Sequence, residues 1–295
     1  MREATGVFVP VPTPYRGDAV AMDRLQGNLE RWNETALDGY VVLGSTGEYS
    51  LLNDAERDAV LGAARDVVPR EKMLIAGVGT DSTLLTIRQI RRAAELGADV
   101  ALVITPHGYP KAFAQPGTQI RHYLAVAEAS PIPILLHNSP GNTGINLGPD
   151  TVARIAEHAN VCGIADASGD IPQDAQIIQL TPKSFHILVG SASALVPSLT
   201  VGASGGILAL ATIAPREYVE IYALARQGRW EEAKEIAARM ILADRGVLGK
   251  YGVGGLKAAL DLQGLYGGPC RAPLATPGGE AIEDIKESLA SAGLL

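Results

Sequence analysis

The chain has few residues of several types that would point to particular classes of protein. It contains only two cysteines, Cys162 and Cys270, and no CxxC or Cys/His spacing accompanies them. Two cysteines cannot build a disulfide framework, and this pattern indicates no zinc site. Acidic residues outnumber basic ones by 32 to 25, which gives a formal net charge of −7. That balance, without a basic stripe, disfavours nucleic acid and acidic membrane surfaces as partners.

Long apolar runs are also missing. No run reaches the roughly 18 apolar residues of a membrane span, and the first residues lack a signal-peptide pattern. Hydrophobic residues still make up 47% of the chain and charged residues 19%, which suits a large buried core and argues against disorder. The sequence therefore predicts a cytoplasmic protein that does not bind membranes.

Short apolar segments alternate with helical patterns from one end of the chain to the other. The apolar segments consist mainly of Val, Ile, Leu and Ala, as strands buried on both faces do. They lie at Gly6–Val11, Gly39–Leu43, Met73–Val78, Val100–Ile104, Ile132–Leu136, Val161–Ala165, His186–Val189 and Gly205–Leu208. Eight such alternations predict an α/β fold of the (β/α)8 TIM barrel type, because eight parallel strands close a sheet on itself. A doubly wound open sheet is less favoured, since no G-x-G-x-x-G follows the first strand.

Amphipathic helical patterns separate these strands and continue beyond the last of them. The barrel helices include patterns at Ala21–Thr35, Asp54–Val68, Ser82–Leu96, Gly117–Ala129 and Pro149–His158. Further patterns follow the eighth strand, at Pro215–Arg226, Glu231–Leu242, Gly255–Leu262 and Gly278–Ala292. We predict a barrel core over residues 1–212. Residues 213–295 then add the last barrel helix and a C-terminal helical appendix within the same domain.

Glycines and hydroxyls follow the second predicted strand. The segment Gly44-Ser45-Thr46-Gly47-Glu48 places two hydroxyl side chains between two glycines, so amide and hydroxyl groups can converge on one small anion. An ordinary glycine-rich turn that caps the next helix explains the same residues. Residue types alone leave both interpretations open.

Two further segments lie at the ends of the fifth and sixth predicted strands. The first is His137-Asn138-Ser139-Pro140-Gly141-Asn142-Thr143-Gly144, and the second is Gly163-Ile164-Ala165-Asp166-Ala167-Ser168-Gly169-Asp170. Together with Gly44–Glu48 they resemble motifs of the dihydrodipicolinate synthase / N-acetylneuraminate lyase family of pyruvate-type aldolases. The resemblance spans residues 5 to 275, and Tyr266–Leu274 is similar to the end of the 4-hydroxy-2-oxoglutarate aldolase branch.

This resemblance implies a covalent mechanism that the chain cannot perform as it stands. In the family, the lysine of the Gly-Ile-Lys-Asp segment forms a Schiff base with a 2-oxo acid, and Ala165 occupies that position. A methyl group cannot attack a carbonyl or accept electrons as an iminium ion does. The resemblance also implies that Ser45, Thr46 and Gly47 bind the substrate carboxylate. His137 replaces a tyrosine that relays protons, and a histidine can do the same.

The chain departs from the family pattern in loops that set specificity. Gly108 stands where relatives usually carry a tyrosine that reaches across an oligomer interface, and His107, Tyr109 and Lys111 are possible site residues beside it. Asn142 stands where dihydrodipicolinate synthases typically carry an arginine for the carboxylate of the semialdehyde. Asn142 therefore argues against that substrate and leaves 4-hydroxy-2-oxoglutarate-type or sugar-acid-type substrates open.

The last two predicted strands add Gly190 and Ile207 as substrate-binding candidates. Small residues around them let a backbone group approach a ligand closely. Close packing inside a barrel explains the same residues equally well.

No other lysine is a convincing replacement for the missing one. Lys72 and Lys183 precede strands, which puts them at the inactive end of a barrel. Lys111 follows the fourth strand and is interpreted as a solvated or anion-binding lysine. The remaining lysines lie in the C-terminal appendix, at Lys234, Lys250, Lys257 and Lys286.

Three hypotheses explain Ala165. In the first, the parent protein is a lysine-dependent 2-oxo acid aldolase or synthase, and a deliberate change to alanine disabled it. In the second, the alanine is natural and the protein binds or senses a 2-oxo acid without covalent chemistry. In the third, a metal- or His-dependent lyase uses His107 and His137 with a carboxylate such as Glu48.

We adopt the first hypothesis, because the rest of the motif around Ala165 is intact. The partner is then pyruvate or a 4-substituted 2-oxo acid, with no cofactor and no metal. The family resemblance implies a homo-oligomer, most often a tetramer. The rebuilt loop from Pro106 to Pro110 weakens that last expectation.

Overall fold

Eight parallel strands form a closed barrel in this computed structural model, which describes residues 3–295. The strand order around the barrel is β1-β10-β9-β8-β7-β6-β5-β4, and β2 and β3 form a separate antiparallel hairpin. The strands are β1 (Gly6–Pro10), β2 (Tyr15–Arg16), β3 (Ala19–Val20), β4 (Gly39–Val42), β5 (Met73–Val78), β6 (Val100–Ile104), β7 (Ile134–Asn138), β8 (Val161–Asp166), β9 (His186–Val189) and β10 (Gly205–Ile207). The predicted (β/α)8 barrel is confirmed.

The described residues contain thirteen α-helices. They are α1 (Met22–Asn33), α2 (Asp54–Val67), α3 (Thr83–Glu95), α4 (Pro110–Phe113), α5 (Pro116–Ala129), α6 (Pro140–Thr143), α7 (Pro149–Ala156), α8 (Ile171–Leu180), α9 (Leu195–Val201), α10 (Pro215–Arg226), α11 (Trp230–Asp244), α12 (Lys250–Leu262) and α13 (Glu280–Ser291). The last four confirm the predicted C-terminal helical part. None of the helices in residues 3–295 combines the length and apolar character needed to cross a bilayer.

Local sequence signals account for where several helices begin. Asn53 caps α2: its side chain accepts the amide of Glu56 at 2.9 Å, and the Glu56 carboxylate accepts the amide of Asn53 at 3.0 Å. This reciprocal pair satisfies two amides that the first turn would leave unbonded. Proline is the first residue of α5, α7 and α10. The amide that proline lacks would have no partner within the helix at this position.

The fifth barrel strand begins and ends two residues later than the sequence predicted. The side-chain amide of Asn160 donates to the carbonyl oxygens of Ala127, Ser130 and Ile132 at 2.9–3.2 Å. These carbonyls therefore bond to a side chain and not to a neighbouring strand. Prolines at 131 and 133 also remove amide donors from this segment. At the other end, His137 and Asn138 pair with Ala165 and Asp166 of β8, so His137 lies within the strand rather than in the loop that follows it.

The chain divides into two compact units. One unit comprises residues 3–6 and Met73–Ile207 and contains β5 to β10 with α3 to α9. The other comprises Val7–Lys72 and Leu208–Leu295 and contains β2 to β4 with α1, α2 and α10 to α13. The assignment of residues 1–212 and 213–295 to parts of one domain stays a prediction.

Candidate active site

His137 and Ala165 are neighbours on adjacent strands. Their Cα atoms are direct partners in the parallel pairing of β7 with β8, and Ala165 pairs with Leu188 of β9 on its other side. Partnered residues of adjacent strands point to the same face of a sheet. Ala165 is buried, and His137 is half-buried. The structure therefore brings the two predicted catalytic positions side by side.

His137 is neutral at physiological pH. Its enclosed position disfavours the charged ring and lowers the pKa of His137 to about 4, although the nearby carboxylate of Asp166 acts in the opposite direction. The hydroxyl of Thr105 donates to the carbonyl oxygen of His137 at 3.2 Å and lies 3.0 Å from the hydroxyl of Tyr123. The backbone of His137 is thus tied to Thr105, just after β6, and through it to Tyr123 of α5, and the ring of His137 is uncharged near neutral pH.

Asp166, the residue after Ala165, anchors a buried polar network. Its Oδ1 accepts the amide of Ser168 at 2.7 Å and the side chain of Asn138 at 3.3 Å, while Oδ2 accepts the side chain of Gln173 at 2.8 Å. Asn146 links the same groups, since it accepts from Asn138 and donates to Gln173, both at 2.7 Å. The buried members Asp166, Asn138 and Gln173 all have partners, and the exposed Asn146 extends the network to the segment after β7. These bonds connect the turn after β8 to that segment.

The loop after β6 holds the three possible site residues on its exposed part. His107 is exposed, and its ring Nδ1 donates to the carbonyl oxygen of Thr105 at 3.1 Å. Tyr109 is 71% exposed and meets the ring of Phe113 edge-on at 6.0 Å. Lys111 is exposed on α4. No contact in this unit brings these three side chains to His137 or Ala165, so their place in the site stays a prediction.

The other candidates in this unit have local structural roles. Asn142 is exposed on α6, and its side-chain amide donates to the hydroxyl of Ser139 at 2.9 Å. A Cβ at Gly190 would lie 2.7 Å from the Cβ of Ala167, so packing against the turn after β8 requires glycine there. Ile207 is buried in β10. Their predicted contacts with substrate stay predictions.

The loop after β4 belongs to the other compact unit. Ser45, Thr46 and Gly47 form one 3-10 turn, and the hydroxyl of Thr13 donates to the carbonyl oxygen of Gly47 at 2.6 Å. A Cβ at Gly47 would lie 3.0 Å from the carbonyl oxygen of Val11, so the loop sits close against the chain after β1. The hydroxyl of Ser45 is buried and has no hydrogen-bond partner among residues 3–295. A buried hydroxyl without a partner is costly, which is expected where a ligand supplies the missing bond.

Sequence reasoning missed a buried ion pair in this loop. The side chains of Glu48 and Lys257 are 0% and 1% exposed and form a salt bridge. Glu48 Oε2 also accepts the amide of Arg271 at 2.9 Å, and Lys257 Nζ donates to the carbonyl oxygen of Pro269 at 2.9 Å. Burial lowers the pKa of Lys257, and the pairing with Glu48 opposes that change. A single lysine within the apolar, buried run 254–260 of α12 was the signal that could have revealed it.

The metal-dependent hypothesis lacks a set of ligands. Within residues 3–295, no three His, Cys, Asp or Glu side chains form a group that could hold a metal ion. Glu48, the carboxylate in that hypothesis, is already engaged by Lys257.

Comparison with known proteins decides the family. A model of the dihydrodipicolinate synthetase family matches residues 3–292. The chain belongs to this family. The resemblance inferred from the three motifs is thereby confirmed at the family level.

Relatives and solved structures of the dihydrodipicolinate synthetase family match nearly the whole chain. A 4-hydroxy-tetrahydrodipicolinate synthase from Methanospirillum hungatei is 33% identical over 96% of this chain and 98% of the relative. The dihydrodipicolinate synthase structure from Thermotoga maritima superimposes with a TM-score of 0.93, at 29% identity over all of both chains. The enzyme from Acinetobacter baumannii, solved with pyruvate, also has a TM-score of 0.93, at 30% identity over 99% of each chain.

Proposed function

We propose that the chain carries the site of a pyruvate-type 2-oxo acid aldolase or synthase that acts through a lysine Schiff base, and that Ala165 disables this chemistry. The observation that carries the proposal is the pairing of His137 with Ala165 on neighbouring strands of a barrel of this family. A proton-transfer group thus stands beside the position that family members use for the amine.

The substrate carboxylate is proposed to bind at the loop after β4. Enzymes on this fold place their active groups at the C-terminal ends of the strands. Ser45 and Thr46 follow the end of β4, and His137 and Ala165 lie near the ends of β7 and β8. The buried, unpartnered hydroxyl of Ser45 supports an anion as its missing partner.

A lysine at position 165 would complete the mechanism. Its uncharged amine would attack the carbonyl carbon of the 2-oxo acid, and water would leave as the iminium forms. The iminium would then accept the electron pair when the carbon–carbon bond beyond the adjacent carbon breaks. The neutral ring of His137 would accept the proton released from the substrate hydroxyl in that step. Burial of the amine would lower its pKa and favour attack, and the proposed chemistry needs no cofactor.

Pyruvate or a 4-substituted 2-oxo acid is the proposed substrate. The solved Acinetobacter baumannii relative contains pyruvate. Asn142 carries no positive charge to hold a second carboxylate, which favours a 4-hydroxy-2-oxo acid or sugar acid over an aspartate-type semialdehyde.

The alanine is proposed to be a deliberate replacement in an otherwise working site. The Asp166 network that fixes the turn after β8 is complete, as a functioning enzyme would need.

The assembly is proposed to be a homotetramer of cytoplasmic subunits. The ring of Tyr109 is 71% exposed and meets the ring of Phe113, which supplies apolar surface on the loop where the family resemblance implies a partner contact. A single monomeric species in sedimentation velocity at micromolar concentration would exclude the tetramer.

The test of the function is the Ala165→Lys variant with borohydride and pyruvate. We expect the variant to gain the mass of one reduced pyruvate adduct, located at residue 165 by peptide mapping, and the present chain to stay unmodified. If the present chain itself is modified, another lysine is the nucleophile and Lys111 becomes the candidate. If neither protein reacts with any 2-oxo acid, the non-covalent binding hypothesis replaces this one.

A further inference from the structure

We propose that Glu48 and Lys257 are positioning residues for the anion-binding loop, here meaning residues 44–48. Their buried ion pair holds Ser45 and Thr46 in the geometry that receives the substrate carboxylate. This inference rests on the proposed function, and it extends the site to a helix far along the chain from the motifs.

The two side chains are enclosed, and each has more than one partner. Glu48 directs one oxygen to Lys257 and the other to the amide of Arg271 at 2.9 Å. Lys257 also donates to the carbonyl oxygen of Pro269 at 2.9 Å, and its Nζ lies 4.5 Å from the ring centroid of Tyr15. Each charge is therefore met by an opposite charge or a dipole on more than one side, which a buried ion pair requires.

The backbone of the loop needs such an anchor. Glu48 has φ +55° and ψ +34°, and Leu43, just before the loop, has φ +62°. Side-chain-bearing residues adopt the left-handed region only when the surroundings over-determine it. A residue with positive φ thus stands at each end of the loop. Of these two residues, Glu48 is held by the salt bridge of its side chain with Lys257.

A second ion pair, between Arg271 and Glu56, holds the same C-terminal segment. Arg271 makes two contacts with the carboxylate of Glu56, at 2.7 and 2.8 Å, and donates to the carbonyl oxygen of Leu51 at 2.8 Å. Its guanidinium also lies 4.5 Å from the ring centroid of Tyr15. Residues 269–271 are therefore held by Lys257, Glu48 and Glu56, so the ion pair connects the loop to a segment that has several other contacts.

Stability alone is a weak explanation for this arrangement. Removing two charges from water costs so much that apolar residues of similar volume often stabilise a core equally well or better. What an ion pair supplies is a defined direction and separation. Direction is what a loop that presents hydroxyl and amide groups to one small anion must have.

The experiment compares Glu48→Gln, Lys257→Met and the double variant, with Glu232→Gln on the exposed surface of α11 as the matched control. Each is made in the full chain and also together with Ala165→Lys. Thermal unfolding measures stability, and hydrogen exchange of residues 44–51 measures the order of the loop. In the Ala165→Lys background, KM and kcat for borohydride-trapped pyruvate addition measure how well the site binds pyruvate and reacts with it.

Each single variant should lose stability, because it leaves one buried charge unpaired. The double variant should recover much of the melting temperature but keep fast exchange in residues 44–51. Its KM for pyruvate should rise about tenfold to a hundredfold, the size of effect that small misplacement of binding groups produces. Glu232→Gln should match the reference in all three measurements.

A double variant that keeps the reference exchange protection or the reference KM would overturn the inference, since the pair would then be structural only. If the Ala165→Lys parent itself fails to trap any 2-oxo acid, the proposed function is wrong. The exchange measurement needs no ligand and still decides whether the pair orders the loop, so the two failures are distinguishable.

Discussion

The carboxylate of Asp81 occupies the space that a side chain at Gly108 would need. A Cβ on Gly108 would collide with Asp81 Oδ2, and Asp81 Oδ1 accepts the amides of His107 at 2.9 Å and Gly108 at 3.0 Å. Burial alone would raise the pKa of Asp81, but the two hydrogen bonds hold this pKa below its usual value. The loop after β6 therefore has no room for a side chain at position 108, because the Asp81 carboxylate lies there and accepts two backbone amides of the same loop.

Gly108→Ala should therefore destabilise the protein by about 1–3 kcal/mol, as overpacking does. Asp81→Ala should also destabilise, because two amides lose their acceptor. The double variant should cost less than the sum, since it removes the collision. Chemical unfolding of the four proteins measures the coupling, with Gly141→Ala as a control that meets no atom within 4 Å. Strictly additive costs would show that Asp81 does not dictate glycine at this position.

Asp174 should make stability depend on pH. Burial is the main reason that the pKa of Asp174 is raised to about 6, and only one of its oxygens has a partner among residues 3–295, the hydroxyl of Ser198 at 2.7 Å. A carboxyl with a raised folded-state pKa contributes stability that is complete below its unfolded pKa and is lost as the pH rises through the folded value, here between about 4 and about 6.

Asp174→Asn keeps a neutral side chain at every pH. Relative to the reference, it should gain about 1–2 kcal/mol in unfolding free energy on going from pH 4.5 to pH 7.5. Urea unfolding at both pH values measures the difference. Glu235→Gln, at an exposed position of α11, should show no such change. An equal effect of Asp174→Asn at both pH values would contradict the assignment.

Asn142 should determine whether the aldehyde partner can carry a carboxylate. In the Ala165→Lys background, Asn142→Arg should raise kcat/KM for condensation of pyruvate with a carboxylate-bearing aldehyde by about tenfold, since a charge-assisted hydrogen bond replaces a neutral group. Asn142→Leu is the control, because both variants lose the bond to Ser139 but only one adds charge. If both variants change the rate equally, position 142 does not select the substrate.

Periodicity and composition were enough to predict the barrel because the eight barrel strands are mainly apolar and buried, and eight segments repeat the same pattern. The motif resemblance also located His137 and Ala165, which the structure places side by side. The start of β7 was predicted two residues early because the side-chain amide of Asn160, distant in sequence from Ile132, donates to the carbonyl oxygens there. No local pattern reveals such a competitor.

The Glu48–Lys257 ion pair is a second feature that the sequence did not predict. Glu48 lies in a recognisable motif, but its partner Lys257 lies in α12, 209 residues later in the chain (257 − 48 = 209). A charged residue on an amphipathic helix is normally expected to face water. The apolar run around Lys257 could have indicated its burial, but only the folded arrangement shows that it is 1% exposed and pairs with Glu48 of the loop after β4.

His137 should act as a base whose titration lies below the working pH range. Because burial lowers the pKa of His137 to about 4, the ring is neutral from pH 5.5 to 7.5 and its protonation state does not change there. In the Ala165→Lys background, His137→Phe should slow cleavage of a 4-hydroxy-2-oxo acid by about 10²–10⁴-fold, the usual contribution of a general base. The ratio of the two rates should stay constant between pH 5.5 and 7.5. Both proteins contain the same lysine, so its own titration cancels in this ratio. A ratio that bends near pH 6.5 would mean that His137 titrates as an ordinary exposed histidine, and an unchanged rate in His137→Phe would remove it from the mechanism.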